Sequence, residues 1–480
     1  MVTSRKIEYS FISLGLIFGL LFVFLIPPLQ AADEDSHFKK AFLVASFNFF
    51  PEKNPEGRVG NYIPQSILDF ENEQRHIMGN IDAKYDYKNQ YIDSHVQVNK
   101  GQDVFIEYST SKTNPILFIP QSLGMLLLKL TVDNPILNLN DNISPINYLY
   151  IGRIFNLIFY LLTCFYAIKL IPFMKNTLFL LCMMPMTLSL SASLSYDGII
   201  IGIIFLFISL MLKTCYDIRI TSVSKKLLYS LIVFSAVIIQ FKQIYFPLVF
   251  LFLLIPISKF KNKKEKNIWF LFILGAGFVS YLCWSILSSL ILGASQASDG
   301  SSSLDQIKFI LGSPFEYIHI LIRSIINNLE FYFISFVGNL GWLDTNFPYV
   351  FTMFYFVVLI ISAIMDNSES IKIPLKHKGF IALVSLSIIV LIETALYVIW
   401  TSLVSGVGSP FITGVQGRYF IPISLIILII FKINIFEKYP KKHRQASDFV
   451  DFIIPRIATF SMILTTIIIL LRYWIPFIQT

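Results

Sequence analysis

The stretch "EYSFISLGLIFGLLFVFLIPPLQAADEDSHF" (8–38) passes from about twenty apolar residues straight into three acids and a histidine. An apolar run of that length crosses a hydrocarbon core of about 30 Å as a helix. The acids Asp33, Glu34 and Asp35 and the imidazole of His37 therefore stand where a first span meets water. "LQAA" before Asp33 also has the small-residue form of a signal-peptide cleavage site, but the apolar run is long for a signal core, so the expectation is that the helix is retained.

The rest of the chain has the same character. Of 480 residues, 55% are hydrophobic and only 14% charged, a composition that excludes an ordinary soluble domain. Apolar runs of roughly 17 to 25 residues recur throughout, and helices are the elements that satisfy their own backbone groups in lipid. The fold expected is an all-α polytopic membrane protein forming one integral membrane domain over 1–480. About eleven spans (10–13) fall near 8–29, 147–170, 177–194, 198–213, 227–241, 243–258, 267–292, 347–365, 379–403, 418–433 and 452–475. Cys164, Cys182, Cys215 and Cys283 lie in or at the ends of these spans without metal-ligand spacing, and read as packing residues.

The net charge of +8 is a topology signal rather than a nucleic-acid footprint. "SRK" (4–6), "KLIPFMK" (169–175), "KTCYDIRITSVSKK" (213–226), "KFKNKKEK" (259–266), "KIPLKHK" (372–378) and "KINIFEKYPKKHR" (432–444) fall on one side of the span count. The turns between them carry almost no Lys or Arg apart from Lys242. The positive-inside rule then sets the N-terminus in the cytoplasm and the large loops outside, in a bacterial plasma membrane. "PFEYIHILIRSIINNLEFYFISFVG" (314–338) is long enough to span, but holds Glu316, His319, Arg323 and Glu330. As a span it would reverse every later loop, so it is expected to lie on the outer surface as an amphipathic interfacial helix.

Two outer excursions follow. The first loop, 31–146, holds most of the hydrophilic sequence, a candidate β-hairpin over 91–109, and the Pro-led apolar segment "NPILFIPQSLGMLLLKL" (114–130), read as interfacial. The second, 293–346, begins with "GASQASDGSSS", carries the amphipathic helix and ends in "GNLGWLDTNFP".

Ionisable groups at the apolar layer are costly and are functional candidates by default. Asp33, Glu34, Asp35, His37, Arg153 in "YIGRIFN", Asp197 in "LSYDGII", Lys242 in "QFKQIYFP", Asp344 in "GWLD" and Arg418 in "QGRYFIP" all fall on the outer face. Charges there also end spans, so the coincidence of the set carries more than any member. A carboxylate at such a boundary can be tuned to take a proton from a hydroxyl. "DEDSHFKKAFLVASF" (33–47) reads equally as the acidic first turn of an interfacial helix, and the two readings are compatible. Glu393 in "LIETALYVIW" lies deep in a span, where a structural hydrogen bond and a proton-relay role weigh the same.

A first span, then "DEDSHF", then "NPILFIPQSLGMLLLKL" and "YIGRIFNLIFYLLTCFYAIKL", resembles the start of C-type-fold integral membrane glycosyltransferases such as protein O-mannosyltransferases and aminoarabinose transferases. "SASLSYDGIIIGIIFLFISLMLK", "GNLGWLDTNFP" and "GVQGRYFIP" are still more similar to a bacterial membrane family, domain of unknown function 2142. The resemblance implies transfer of a sugar from a polyprenyl-phosphate carrier to an envelope glycan or lipid acceptor, with inversion. Asp33 would then be the base, supported by Glu34 and His37, and Asp197 would bind acceptor or metal. Charge and position add Arg153 and Arg418 for the donor phosphate, with Lys242 and Asp344 as further substrate contacts. No strong metal signature appears, which leaves a divalent metal open, and no large C-terminal soluble module is expected. Two other classes compete: a flippase or transporter of a lipid-linked intermediate, although no internal repeat is evident, and a non-catalytic scaffold for envelope assembly.

Overall fold

α1 (Ile7–Leu25) begins the bundle as a continuous apolar helix. Its small residues set its packing: a Cβ on Gly15 would come within 2.5 Å of Leu161, and one on Gly19 within 2.7 Å of Leu157. Two glycines four apart let helix backbones approach closely, the usual device where lipid removes the hydrophobic drive to associate. The computed structural model describes residues 7–86, 88, 98, 102–132, 143–292, 300–365, 371–432 and 440–476.

After α1 the chain forms α2 (Glu34–Ala45), a three-stranded antiparallel sheet of β1 (Glu52–Lys53), β2 (Val59–Pro64) and β3 (Asp103–Ile106), and α3 (Gln65–Gln74). Most of the hairpin expected over 91–109 lies outside the described residues. Its second strand, β3, pairs with β2, with Tyr62 opposite Phe105 and Ile63 opposite Val104. A 3-10 turn (Pro115–Phe118) leads into α4 (Ile119–Val132), which packs on α5 (Pro145–Leu170) where Gly124 meets Phe155 and Gly152 meets Met125.

The expected span at 177–194 is two short helices, α6 (Lys175–Cys182) and α7 (Pro185–Ser191), buried except at Lys175. Pro185 removes a backbone donor and forces Met184 into an extended conformation (φ −66, ψ 140), so the helix must break there. α8 (Asp197–Tyr216) runs through the middle of the bundle against α5, with a Cβ on Gly202 falling 2.3 Å from the Thr163 hydroxyl. α9 (Lys225–Phe241) and α10 (Lys263–Leu292) form an antiparallel pair joined by Ser235 donating to the Ile273 carbonyl and Gln240 to Ser280. The expected span at 243–258 is a 3-10 segment, Gln243–Leu254, with Pro247 inside it.

The second excursion contributes α11 (Gly300–Gly312), α12 (Pro314–Val337) and a two-stranded hairpin, β4 (Asn339–Leu340) with β5 (Thr345–Asn346). α13 (Tyr349–Met365) and α14 (Leu375–Leu396) follow, α14 continuing through a π-turn (Tyr397–Thr401) to Val404. A 3-10 turn (Gly417–Phe420) opens α15 (Ile421–Ile430), and α16 (Pro440–Tyr473) closes the bundle beside α1, where the Trp474 indole donates to the Leu25 carbonyl (2.7 Å).

Among the described residues eight helices are long and apolar enough to cross a membrane, and the chain is an all-α polytopic membrane protein with small sheets in its loops. Two of the eight, 115–132 and 314–337, are the segments that the sequence reading laid at the interface. α12 has distinctive contacts. Tyr317 and Tyr332 are roughly 22 Å apart along its axis, yet their hydroxyls reach adjacent residues of α14, Thr394 (2.6 Å) and Glu393 (2.9 Å). The loop before α15 runs along the same helix, Ile412 N–H donating to Ser324 and Gly417 N–H to Ser335. α12 therefore crosses the end of α14 rather than lying beside it.

Candidate functional site

Four consecutive facts about the chain after α1 build the site. The helix ends before Pro27-Pro28, Leu29 and Asp33 take left-handed conformations (φ 62 and φ 58), and α2 starts at Glu34. The left-handed residue turns Asp33 away from the helix that follows. Asp33 stands at the N-cap position, yet its side chain caps nothing. Adjacent acids on either side of a helix start point in different directions, and here they enter two separate charge networks.

Glu34 turns inward and is fully buried against Arg153. Arg153 Nε donates to Oε1 (2.8 Å) and Nη2 to Oε2 (2.6 Å), a bidentate pair. The remaining N–H groups of Arg153 donate to the carbonyls of Val23 (2.8 Å), Ile26 (2.7 Å) and Pro27 (3.0 Å). A guanidinium has five donors, and all five are used. Glu34 also accepts from the Leu194 backbone (2.9 Å), so one residue pair ties the end of α1 to α5 and to the turn before α8. Arg153 is thus a clamp on the carbonyl end of α1, where a cation also meets the negative end of the helix dipole.

Asp33 turns the other way and accepts from Arg418 Nη2 (2.8 Å). Arg418 Nη1 lies 3.8 Å from Asp197, and Asp197 accepts from Lys242 Nζ (3.0 Å). Acid, base, acid and base thus alternate along one chain of contacts, drawn from the start of α2, the 3-10 turn before α15, the N-terminus of α8 and the residue after α9. The Asp33 side chain is 50% exposed while that of Arg418 is 4% exposed, so the carboxylate is the open end and the guanidinium the buried one. Arg418 Nε and Nη1 are buried and donate no hydrogen bond among the described residues.

Aromatic rings frame this network. The Lys242 ammonium sits 5.2 Å from the Tyr196 ring and 4.9 Å from the Tyr419 ring, and the Arg418 guanidinium 5.3 Å from Tyr419. Tyr245 donates to the Tyr419 carbonyl (2.8 Å), fixing the turn that carries Arg418. Gly417 is required there because a Cβ would fall 2.0 Å from the Tyr332 carbonyl of α12. Behind Arg418 lies a cavity of about 20 Å³, bordered by Ala31, Ala32, Gly341 and Tyr473, with room for about one water.

His37 is buried one helical turn after Asp33, its ring 4.4 Å from Tyr196 and its Nδ1 without a hydrogen-bond partner among the described residues. Burial pushes its pKa below the ordinary 6.5; Asp33 and Asp197 pull upward but do not win, so the ring is neutral at neutral pH. For Asp33 burial alone would raise the carboxyl, but the Arg418 guanidinium, by its charge and its hydrogen bond, outweighs it and holds the pKa below the ordinary 3.8.

Asp344 belongs to a third network. It accepts from Arg472 Nη2 (2.6 Å), and Arg472 also donates to the carbonyls of Ile77 and Ala83, tying the β4–β5 turn and the first loop to the end of α16. The sequence set is therefore divided: Asp33, His37, Asp197, Lys242 and Arg418 converge, whereas Glu34 with Arg153, and Asp344 with Arg472, form separate pairs. Asp35 lies 3.5 Å from Lys39, which also pairs with Glu71 (2.6 Å). Tyr196, Tyr419 and Arg472 were missed; the tyrosines adjoin Asp197 and Arg418 in sequence, which was their one signal.

Among the described residues no three His, Cys, Asp or Glu side chains come together to hold a metal ion. Asp33 and Asp197 converge instead on Arg418 and Lys242, cations that fill the position a metal would take, so this donor set does not fit one. No curated protein and no solved structure matches the chain. Residues 16–427 match the family described as "Predicted membrane protein (DUF2142)". That match takes in the second half of α1, all of α2 and every residue of the Asp33–Arg418 network, and the chain belongs to this family of multi-pass membrane proteins.

Proposed function

We propose that the protein is a membrane glycosyltransferase that moves a sugar from a polyprenyl-phosphate carrier to a cell-envelope acceptor on the outer face of a bacterial plasma membrane. The observation that carries this reading is the pairing of a half-exposed carboxylate, Asp33, with a buried arginine that keeps two donor nitrogens unused. Asp33 takes the proton of the acceptor hydroxyl as the acceptor oxygen attacks the anomeric carbon. The bond from that carbon to the carrier phosphate breaks, its electron pair leaves with the phosphate oxygen, and the configuration inverts. Arg418 and Lys242 meet the phosphate charge, a guanidinium being suited to grip two of its oxygens. A phosphate that occupies Arg418 also deprives Asp33 of its partner, so the carboxylate becomes a stronger base when the leaving group is in place.

The orientation rests on the basic segments at 169–175, 213–226, 259–266 and 372–378, which put the Asp33 end of the bundle outside. The transverse contacts of α12 support its place as an interfacial helix over that end.

The test is transfer of a radiolabelled sugar from a short-chain polyprenyl-phosphate donor, with the full chain in proteoliposomes and an envelope extract as acceptor. Wild type should form glycosylated product, and Asp33→Asn should lower the rate about 10²–10⁴-fold while inserting and eluting as wild type. Full activity in Asp33→Asn removes the base from the mechanism. Transbilayer movement of the intact donor with no transfer would instead support the transporter class.

A further inference from the structure

A second site lies away from the charged network, between α12, α13, α14 and α15. A cavity of about 230 Å³ is bounded by Phe333, Phe336, Phe356, Ile389 and Ile427, and its lining is almost wholly apolar. An engineered apolar cavity of roughly 150 Å³ stays dry and takes benzene, so this space suits a hydrocarbon body. Three polar side chains break the lining: Tyr332, which donates to Glu393; Ser424, which donates to the Ile421 carbonyl; and Glu393, itself wholly buried. Its Oε1 accepts from Tyr332 (2.9 Å), while its Oε2 has no hydrogen-bond partner among the described residues. A carboxyl oxygen left unpaired in apolar surroundings is costly, and the second oxygen gives a ligand something to satisfy.

We propose that this cavity binds a long-chain lipid alcohol, with its hydrocarbon among the phenylalanines and its hydroxyl on Glu393 Oε2. A hydroxyl is favoured over other polar groups because it both donates and accepts. It therefore satisfies Oε2 whether the carboxyl is ionised and needs a donor, or protonated and needs an acceptor. An ammonium would match the ionised form alone, and its transfer into an apolar cavity carries a large desolvation cost. The helices that form the walls supply the route, since a chain can enter from the bilayer without crossing water. This site is independent of the glycosyltransferase reading and stands or falls separately.

The test uses the full chain in detergent with three photoreactive probes of equal chain length: a diazirine-bearing primary alcohol, the matching primary amine and the matching alkane. Labelled residues are mapped by mass spectrometry. The alcohol should label Phe333, Phe356 and Ile389 about tenfold more than the alkane, the worth of one well-placed hydrogen bond to a buried carboxyl. Glu393→Gln, which keeps a donor and an acceptor, should retain that preference. Glu393→Leu should remove it while leaving alkane labelling unchanged. If Glu393→Leu does not fold, Ile427→Phe, which fills the cavity, should cut alcohol labelling at these residues by the same factor. Equal alcohol and alkane labelling in wild type, stronger amine labelling, or a preference that survives Glu393→Leu would each overturn the proposal.

Discussion

Arg153 and Arg418 are two buried arginines at the same end of one helical bundle, each paired with one of two adjacent acids, and they differ in what they leave undone. Arg153 uses every donor it has, on Glu34 and three carbonyls, and neither partner touches water. Among the described residues Arg418 makes one hydrogen bond, to the half-exposed Asp33, and keeps Nε and Nη1 unused, Nη1 lying beside Asp197. Buried unsatisfied donors are expensive for a fold, so the first arginine is spent on assembly, while on the proposed reading the second is kept for a ligand. Charge and burial alone do not separate the two; the donor count does.

The largest effect that sharpens this contrast is on folding. Arg153→Met leaves Glu34 buried and unpaired and should cost about 3–5 kcal/mol, read as loss of the monodisperse species or a much lower midpoint in thermal unfolding. Adding Glu34→Leu should recover part of that loss, because the orphaned charge is gone, but not all, because the carbonyls of Val23, Ile26 and Pro27 lose their donors as well. Full recovery would mean that the carbonyl contacts contribute little.

Next in size is Lys242→Met. It keeps the apolar stem between Tyr196 and Tyr419 but removes the charge facing Asp197. On the proposed reading the transfer rate falls about tenfold to a hundredfold, comparable with one lost electrostatic contact in a transition state. An unchanged rate would detach Lys242 from the site.

The smallest expected effect is in pH dependence. Asp33 has a folded-state pKa below 3.8, so its ionised form stabilises the fold at pH values above the unfolded pKa. That contribution is lost as pH falls through the folded value. As a base it must be ionised, so kcat/KM, which reports the free enzyme, should fall on the acid side only below the ordinary aspartate range. The acid limb of kcat should lie higher, because bound phosphate takes Arg418 from Asp33. Coincident limbs would argue that donor and carboxylate do not share the arginine.

Much of this was legible in the residues and some was not. The first span and its acidic exit follow from a run of apolar residues, and the gathering of Asp33, Asp197, Lys242 and Arg418 at one end follows from where each falls relative to a span. Pro185 and Pro247 lie inside the apolar runs 177–194 and 243–258, yet hydropathy has no term for a missing backbone donor and reads both runs as unbroken. Partner choice was out of reach. Whether Arg153 meets Glu34 or Asp33 depends on a left-handed residue at Asp33 and on contacts between segments far apart in sequence. Arg472 looked like an ordinary basic helix end, since its partner Asp344 lies in a distant turn.

The most direct test of the contrast between the two arginines is binding of a short alkyl phosphate to the purified full chain, measured as ligand-induced thermal stabilisation in wild type and in Arg418→Met. The wild type should be stabilised by about 2.7 kcal/mol at a phosphate concentration a hundredfold above Kd, while Arg418→Met, which loses the Asp33 pair, should fold with a somewhat lower unfolding temperature and gain nothing from phosphate. An Arg418→Met protein that fails to fold, or one that is stabilised as fully as wild type, would contradict the assignment of this arginine to an anionic ligand.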